Sequence, residues 1–210
     1  MSPKESHPPE LDDAEEAIEA SNFDDAIEGA KSFLNADRLS VRQRAKRLTG
    51  LAHYHKGEYQ EAVPYLRAVA ESEESTDAWF NLATSATQAE EVSTGLKAFR
   101  RATDLNDSDH LALPQMHFKF AKALMDVSEY ERALERLNWL GGAYAELGIT
   151  DDTFLRLRGV PFLSKTLELA VEVFTELDRG ADGRTWMDSL ASEVDDRGSE
   201  EIDQFRQELS

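Results

Sequence analysis

The chain has no cysteine. Disulfides, thiolate metal sites and cysteine nucleophiles are thereby excluded. No stretch approaches the roughly 18 consecutive apolar residues of a bilayer-spanning helix. The opening Met1-Ser2-Pro3-Lys4-Glu5-Ser6-His7-Pro8-Pro9 has no apolar run of the kind a secretory signal needs. Cations are scarce: 23 Lys and Arg stand against 42 Asp and Glu, a net charge of −19 over 210 residues. That balance argues against nucleic-acid binding, because phosphate backbones reward clustered Lys and Arg. It argues equally against docking on an anionic membrane. A cytoplasmic protein is the resulting expectation, and the acidity fits either an interaction protein or a salt-adapted source.

Marks of catalysis and of cofactor binding are also missing. Gly141-Gly142 lacks the Lys, Ser or Thr of a phosphate-cradling loop. His53 and His55 lie two apart, so on a helix their rings diverge and cannot share one ion. His110 and His117 are separated by Pro114. Acid pairs such as Asp24-Asp25 and Asp151-Asp152 read as helix starts, where carboxylates meet the exposed N–H groups of the first turn. Trp79, Trp139 and Trp186 read as packing residues. No enzyme, no cofactor and no metal site is expected.

What the chain does have is internal repetition. Phe23-Asp24-Asp25-Ala26-Ile27 recurs as Tyr59-Gln60-Glu61-Ala62-Val63 and as Tyr130-Glu131-Arg132-Ala133-Leu134. A further copy, Val92-Ser93-Thr94-Gly95-Leu96, has lost the aromatic. The small residues at 26, 62, 95 and 133 are spaced by 36, 33 and 38, around the ~34-residue period of paired-helix repeats. Trp79-x-x-Leu82-Ala83-x-x-Ala86, followed by Gly95-x-x-x-Phe99-x-x-Ala102, supplies large residues for a first helix and small ones where two helices approach. Phe120, Ala121, Leu124 and Val127 share one helical face, and Tyr130, Ala133, Leu134, Leu137 and Leu140 another. Two such stripes across a short polar turn make an antiparallel hairpin that must stack on neighbours to bury itself. Gly57 suits a left-handed helix cap. Pro64 predicts a local irregularity one turn into its helix, not a break.

These motifs resemble the tetratricopeptide repeat family over residues 10 to 147. The third copy matches best, and the first is degenerate, with Ala14 and Ala17 but no large aromatic. The resemblance implies an all-α fold: a right-handed α-α superhelix of about four helical hairpins with extra C-terminal helices. The expected organisation is a disordered tail over 1–9 and repeats over about 10–38, 40–74, 76–109 and 111–147. An irregular fifth repeat or capping pair follows over 148–179, and acidic helices over 180–210. Within the last part, Arg179-Gly180-Ala181-Asp182-Gly183 reads as a linker, Phe162 to Leu177 as a long amphipathic helix, and Gly159-Val160-Pro161 as an interruption.

Charge is uneven along the chain. Glu5 to Glu28 holds ten acids and no base, and Val171 to the end holds twelve acids and four arginines. Between them, Arg38, Arg42, Arg44, Lys46, Arg47 and Lys56 occur with no acid between Asp37 and Glu58. This basic helix is either a solvated face balanced by acidic neighbours or a wall of a binding groove. In the family resembled, the first helix of each repeat lines a concave groove. Alignment then implies Arg44, Arg47, Leu51, Tyr54 and His55 from the second repeat. The third supplies Phe80, Thr84, Thr87 and Gln88, and the fourth Phe118, Lys122 and Met125. Such a mixture suits an extended peptide or protein segment with acidic and apolar side chains. Family members that clamp acidic chaperone tails want Asn where Leu51 and Glu15 stand, so that partner is not expected. A protein-interaction scaffold is the main functional expectation. The alternatives are a secretion-type chaperone and a self-assembling scaffold, the latter docking through Phe162, Leu163, Phe174 or Trp186.

Overall fold

The computed structural model of the chain describes residues 8–108 and 111–209. The start of the expected N-terminal tail, residues 1–7, and His110 lie outside them. The described residues form twelve α-helices and no strand. They divide into two compact units, 1–105 and 106–210.

The first unit is three hairpins. α1 (Pro9–Glu19) pairs with α2 (Phe23–Lys31), α3 (Leu39–His55) with α4 (Tyr59–Glu73), and α5 (Thr76–Gln88) with α6 (Val92–Leu105). Each hairpin stacks on the next through α2 against α3 and α4 against α5. The degenerate first hairpin holds its place by burying Leu11 and Ala14 against Val41, Ala45 and Leu48 of α3. α4 runs unbroken through Pro64, whose side chain is solvent-exposed.

The second unit begins in the same way, with α7 (Leu113–Asp126) paired to α8 (Tyr130–Leu147). A short α9 (Asp152–Leu157) follows, and then α10 (Leu163–Glu176), α11 (Gly180–Ala191) and α12 (Asp196–Arg206). α10 packs on α8 and on α11. Here the structure corrects the sequence reading. Residues 180–183 are no linker but the first turn of α11, and α10 pairs forward with α11 instead of back with α9. Gly180 begins α11, and Gly183 serves close packing: a Cβ there would come within 2.8 Å of Phe174 and 2.7 Å of Leu209. Position 183 is thus the fifth member of the small-residue series. It falls 50 residues after Ala133 because α9 and its flanking loops intervene.

Five turns show why these are copies of one unit. Each joins its two helices by three residues, and the middle one is left-handed: Ser21 (φ 62°), Gly57 (79°), Glu90 (63°), Ser128 (61°) and Asp178 (54°). In each, the next N–H reaches the carbonyl five residues back: Asn22 to Ala17 at 2.7 Å, Glu58 to His53 at 2.9 Å, Glu91 to Ala86 at 2.8 Å, Glu129 to Leu124 and Arg179 to Phe174 at 2.9 Å. The left-handed residue's own N–H bonds the carbonyl three back. This paired arrangement, the Schellman motif, satisfies carbonyls that a helix end would leave open and reverses the chain at a fixed angle. At the close approach that follows, Ala26, Ala62 and Ala133 are fully buried, and a Cβ on Gly95 would lie 2.1 Å from the Thr87 hydroxyl oxygen.

The segment between α8 and α10 is anchored at several points. Gly148 ends α8 in a left-handed cap, and the Asp151 carboxylate accepts from the Thr153 and Phe154 N–H groups to start α9. Leu155 and Val160 are buried. A side chain at Gly159 would come within 2.4 Å of the Ala112 Cβ, so the segment lies tight against the start of α7. The buried Tyr144 hydroxyl donates to the Pro161 carbonyl at 2.7 Å and meets the Thr166 hydroxyl at 2.8 Å. Burial holds that phenol well above its ordinary value, so it stays a neutral donor. On the other side, Thr150 gives its N–H and hydroxyl to Asp195, which also caps α12 through the Gly198 N–H.

His117 of α7 is buried and stacked on Trp139 of α8, ring centroids 3.8 Å apart and 10° from parallel. Burial, helped by the charge of Arg136, lowers its pKa to about 4. The unfolded chain therefore takes up a proton near pH 6.5 that the folded chain refuses until near pH 4. This part of the stability is complete above pH 6.5 and is lost as pH falls from there toward 4. Wild type should thus lose more Tm than His117→Phe between pH 7 and pH 5; parallel Tm–pH curves would contradict the neutral, buried imidazole.

Candidate functional site

In the first unit, most of the basic helix is already engaged. Arg44 donates to Asp12 of α1 at 2.6 Å and also to Glu15, and its side chain is only 19% exposed. Burial pulls its pKa down, but the hydrogen bonds it donates to Glu15 and Asp12, with their charges, outweigh this and raise it. Arg47 pairs with Glu73 at the end of α4. Lys56 bridges Asp24 of α2 at 2.7 Å and Glu58 at 2.8 Å, and Arg42 donates to the Ala36 carbonyl at 2.6 Å. The Arg44 and Lys56 pairs with Asp12, Glu15 and Asp24 stitch the acidic first hairpin onto the second, and Arg47–Glu73 ties α3 to α4 within the second. Around them lies an open cavity of about 1000 Å³. Its lining carries Arg38, Arg44 and Arg47 but also Asp12, Glu15 and Glu73, with the exposed Leu39 at its edge.

The other expected first-unit residues are distributed as follows. Leu51 is half-buried. Tyr54 meets His55 and Tyr59 edge-on, each at 5.5 Å between centroids. His55 is exposed and stacks on Phe23 of α2 at 5.6 Å. His53, by contrast, packs inward against Tyr65, with its Nδ1 2.7 Å from Glu58. Phe80 and Thr84 do not present an exposed lining: Phe80 is 5% exposed and lies against Phe99, and Thr84 turns its hydroxyl onto the Phe80 carbonyl. The buried Gly95, Ala98 and Ala102 of α6 accompany a close α5–α6 approach in which Phe80 packs on Phe99. Gln88 is half-buried.

In the second unit, Phe118 and Met125 of α7 are half-buried and Lys122 is exposed. Phe118 lines a cavity of about 230 Å³ together with Gln115, Arg156, Val160, Pro161, Phe162 and Lys165. Sequence reasoning missed most of this wall. The signal was present in Gly159-Val160-Pro161, which marks a chain reversal but not what it approaches. Of the residues expected to form a self-assembly face, Leu163 and Phe174 are core, and Trp186 is half-buried against Gly141. Phe162 alone of the four is well exposed, at 41%. Among the described residues, no three His, Cys, Asp or Glu side chains converge as metal ligands, and no helix is long and apolar enough to cross a membrane.

Comparison with known proteins bears on the first unit. A family model described as Tetratricopeptide repeat matches residues 11–75. The match covers the first two hairpins, including the one whose sequence is most degenerate. No curated protein matches the chain.

The ion pairs that hold the first hairpin have a measurable consequence. Arg44→Glu sets a third carboxylate against Asp12 and Glu15. It should lower stability by about 1 kcal/mol and accelerate amide exchange in α1 and α2 before α5 and α6. Unchanged exchange in α1 and α2 would mean that these bonds do not hold the hairpin.

Proposed function

We propose that the chain is a protein-interaction module, not a catalyst, on the premise that its first two hairpins match the tetratricopeptide repeat model over residues 11–75. It binds a peptide or protein segment on faces made by the first helix of its hairpins. Repeats of this family mediate protein–protein interaction, and the all-α architecture of stacked hairpins agrees with that use. The contact residues we assign are Leu51, Tyr54 and His55 in the first unit and Phe118, Lys122 and Met125 in the second. Arg44 and Arg47 join them only where a partner's carboxylate displaces Asp12, Glu15 or Glu73.

The observation that carries this reading is on α7. Phe118 and Lys122 are four residues apart, hence on one face, and Lys122 is exposed with no ion pair among the described residues. The aromatic offers apolar contact area and the uncommitted cation a partner for a carboxylate of a bound segment. By contrast, Arg44, Arg47 and Lys56 of the first unit have internal partners, so their substitution reports on stability as much as on binding.

The test is capture from native lysate at moderate salt, comparing wild type with Phe118→Ala/Lys122→Glu. The double variant should retain wild-type helicity and Tm within a few degrees and lose at least tenfold of each specifically captured partner. Equal capture by a folded double variant would remove the assigned face.

A further inference from the structure

We propose that the segment 148–162, which interrupts the repeat series, is a recognition element. With α7 and α10 it binds a peptide carrying one large apolar side chain flanked by carboxylates. The inference rests on the reading that first-helix faces bind protein segments, and it adds both the partner's chemistry and a part of the site that the repeats do not supply.

The segment is held at a defined place. Gly159 lies against Ala112, Leu155 and Val160 are buried, and the Pro161 carbonyl is bound by Tyr144. This fixed backbone carries Arg156 and Phe162 into the cavity beside Phe118 and Lys165. A cavity of about 230 Å³ is smaller than those that enclose a cofactor-sized ligand, and its scale suits a single side chain. Its apolar wall is Phe118, Val160, Pro161 and Phe162, and Phe162 is 41% exposed although it is a large aromatic.

Charge identifies the neighbours of that side chain. The lining contains no carboxylate, in a chain with 42 acidic residues. Arg156 makes no ion pair among the described residues. Lys165 meets Glu168 at 2.9 Å, but both side chains are at least half exposed, and such a pair is readily exchanged for a partner's carboxylate. A bare anion would satisfy Arg156 and Lys165 and leave Phe118 and Phe162 uncovered. A purely apolar segment would cover the rings and leave the cations unused. An acidic segment with an aromatic or Leu anchor satisfies both.

A random peptide library displayed on phage and selected on the intact chain tests this. Enriched sequences should place Phe, Tyr, Trp or Leu within two residues of Asp or Glu. A fluorescein-labelled peptide of the enriched sequence should bind at least tenfold more weakly to Arg156→Glu and to Phe162→Ala. Arg100→Glu, at an exposed site in the first unit, should leave binding unchanged. Circular dichroism melts establish that each variant is folded. Enrichment of sequences without acids would overturn the inference. So would binding indifferent to Arg156→Glu and Phe162→Ala but lost with Phe118→Ala/Lys122→Glu, and that outcome would leave the first-helix reading standing. No enrichment at all would overturn both.

Discussion

The structure depends on the close approach of two antiparallel helices joined by only three residues. So short a connection leaves no freedom to adjust. The chain must reverse through one left-handed residue, and the second helix must then pass the first with nothing larger than a methyl between them. Ala26, Ala62, Gly95, Ala133 and Gly183 meet that requirement. Everything else follows from five repetitions of this constraint. Hairpins that cannot bury their own apolar stripes stack within each unit.

Four of the five hairpins were legible in the sequence because their small residue follows an aromatic or a Val by three, at a spacing near 34. The fifth was not, for two physical reasons. Its aromatic is replaced by Gly180, and the glycines at 180 and 183, which ordinarily break helices, here occupy a helix start and a helix contact. The interruption by α9 then shifts the series by about half a repeat and hides the period. Of the candidate site, Phe118, Lys122 and Met125 came from repeat alignment alone. Phe80 and Thr84 came from the same alignment but are buried, since alignment fixes a register position and not how tightly α6 closes on α5. Arg156, Phe162 and Lys165 could not be aligned to any repeat, because a non-repeated segment brings the first two to the cavity.

Acidity and basicity also play different parts in the two units. In the first, Asp12, Glu15, Asp24 and Glu73 absorb Arg44, Arg47 and Lys56, and the basic stretch of α3 becomes internal stitching, between the first two hairpins and within the second. In the second, Lys122 beside the half-buried Phe118 and Arg156 beside the exposed Phe162 have no such partner among the described residues. The feature most conspicuous in the sequence is therefore mainly structural, and the less conspicuous one is the better candidate for binding.

Residues 163–191 form a hairpin of the same construction as the four before it, which puts α10 in the role of a first helix beside α7. Urea unfolding of Asp178→Gly tests it most directly. A non-glycine residue in a left-handed turn costs about 1 kcal/mol, which glycine relieves, so Asp178→Gly should raise stability by up to that amount, as Ser128→Gly should in the established turn. If 178–183 were an extended linker, glycine would only loosen the unfolded chain, and Asp178→Gly would leave stability unchanged or lower it while Ser128→Gly raised it.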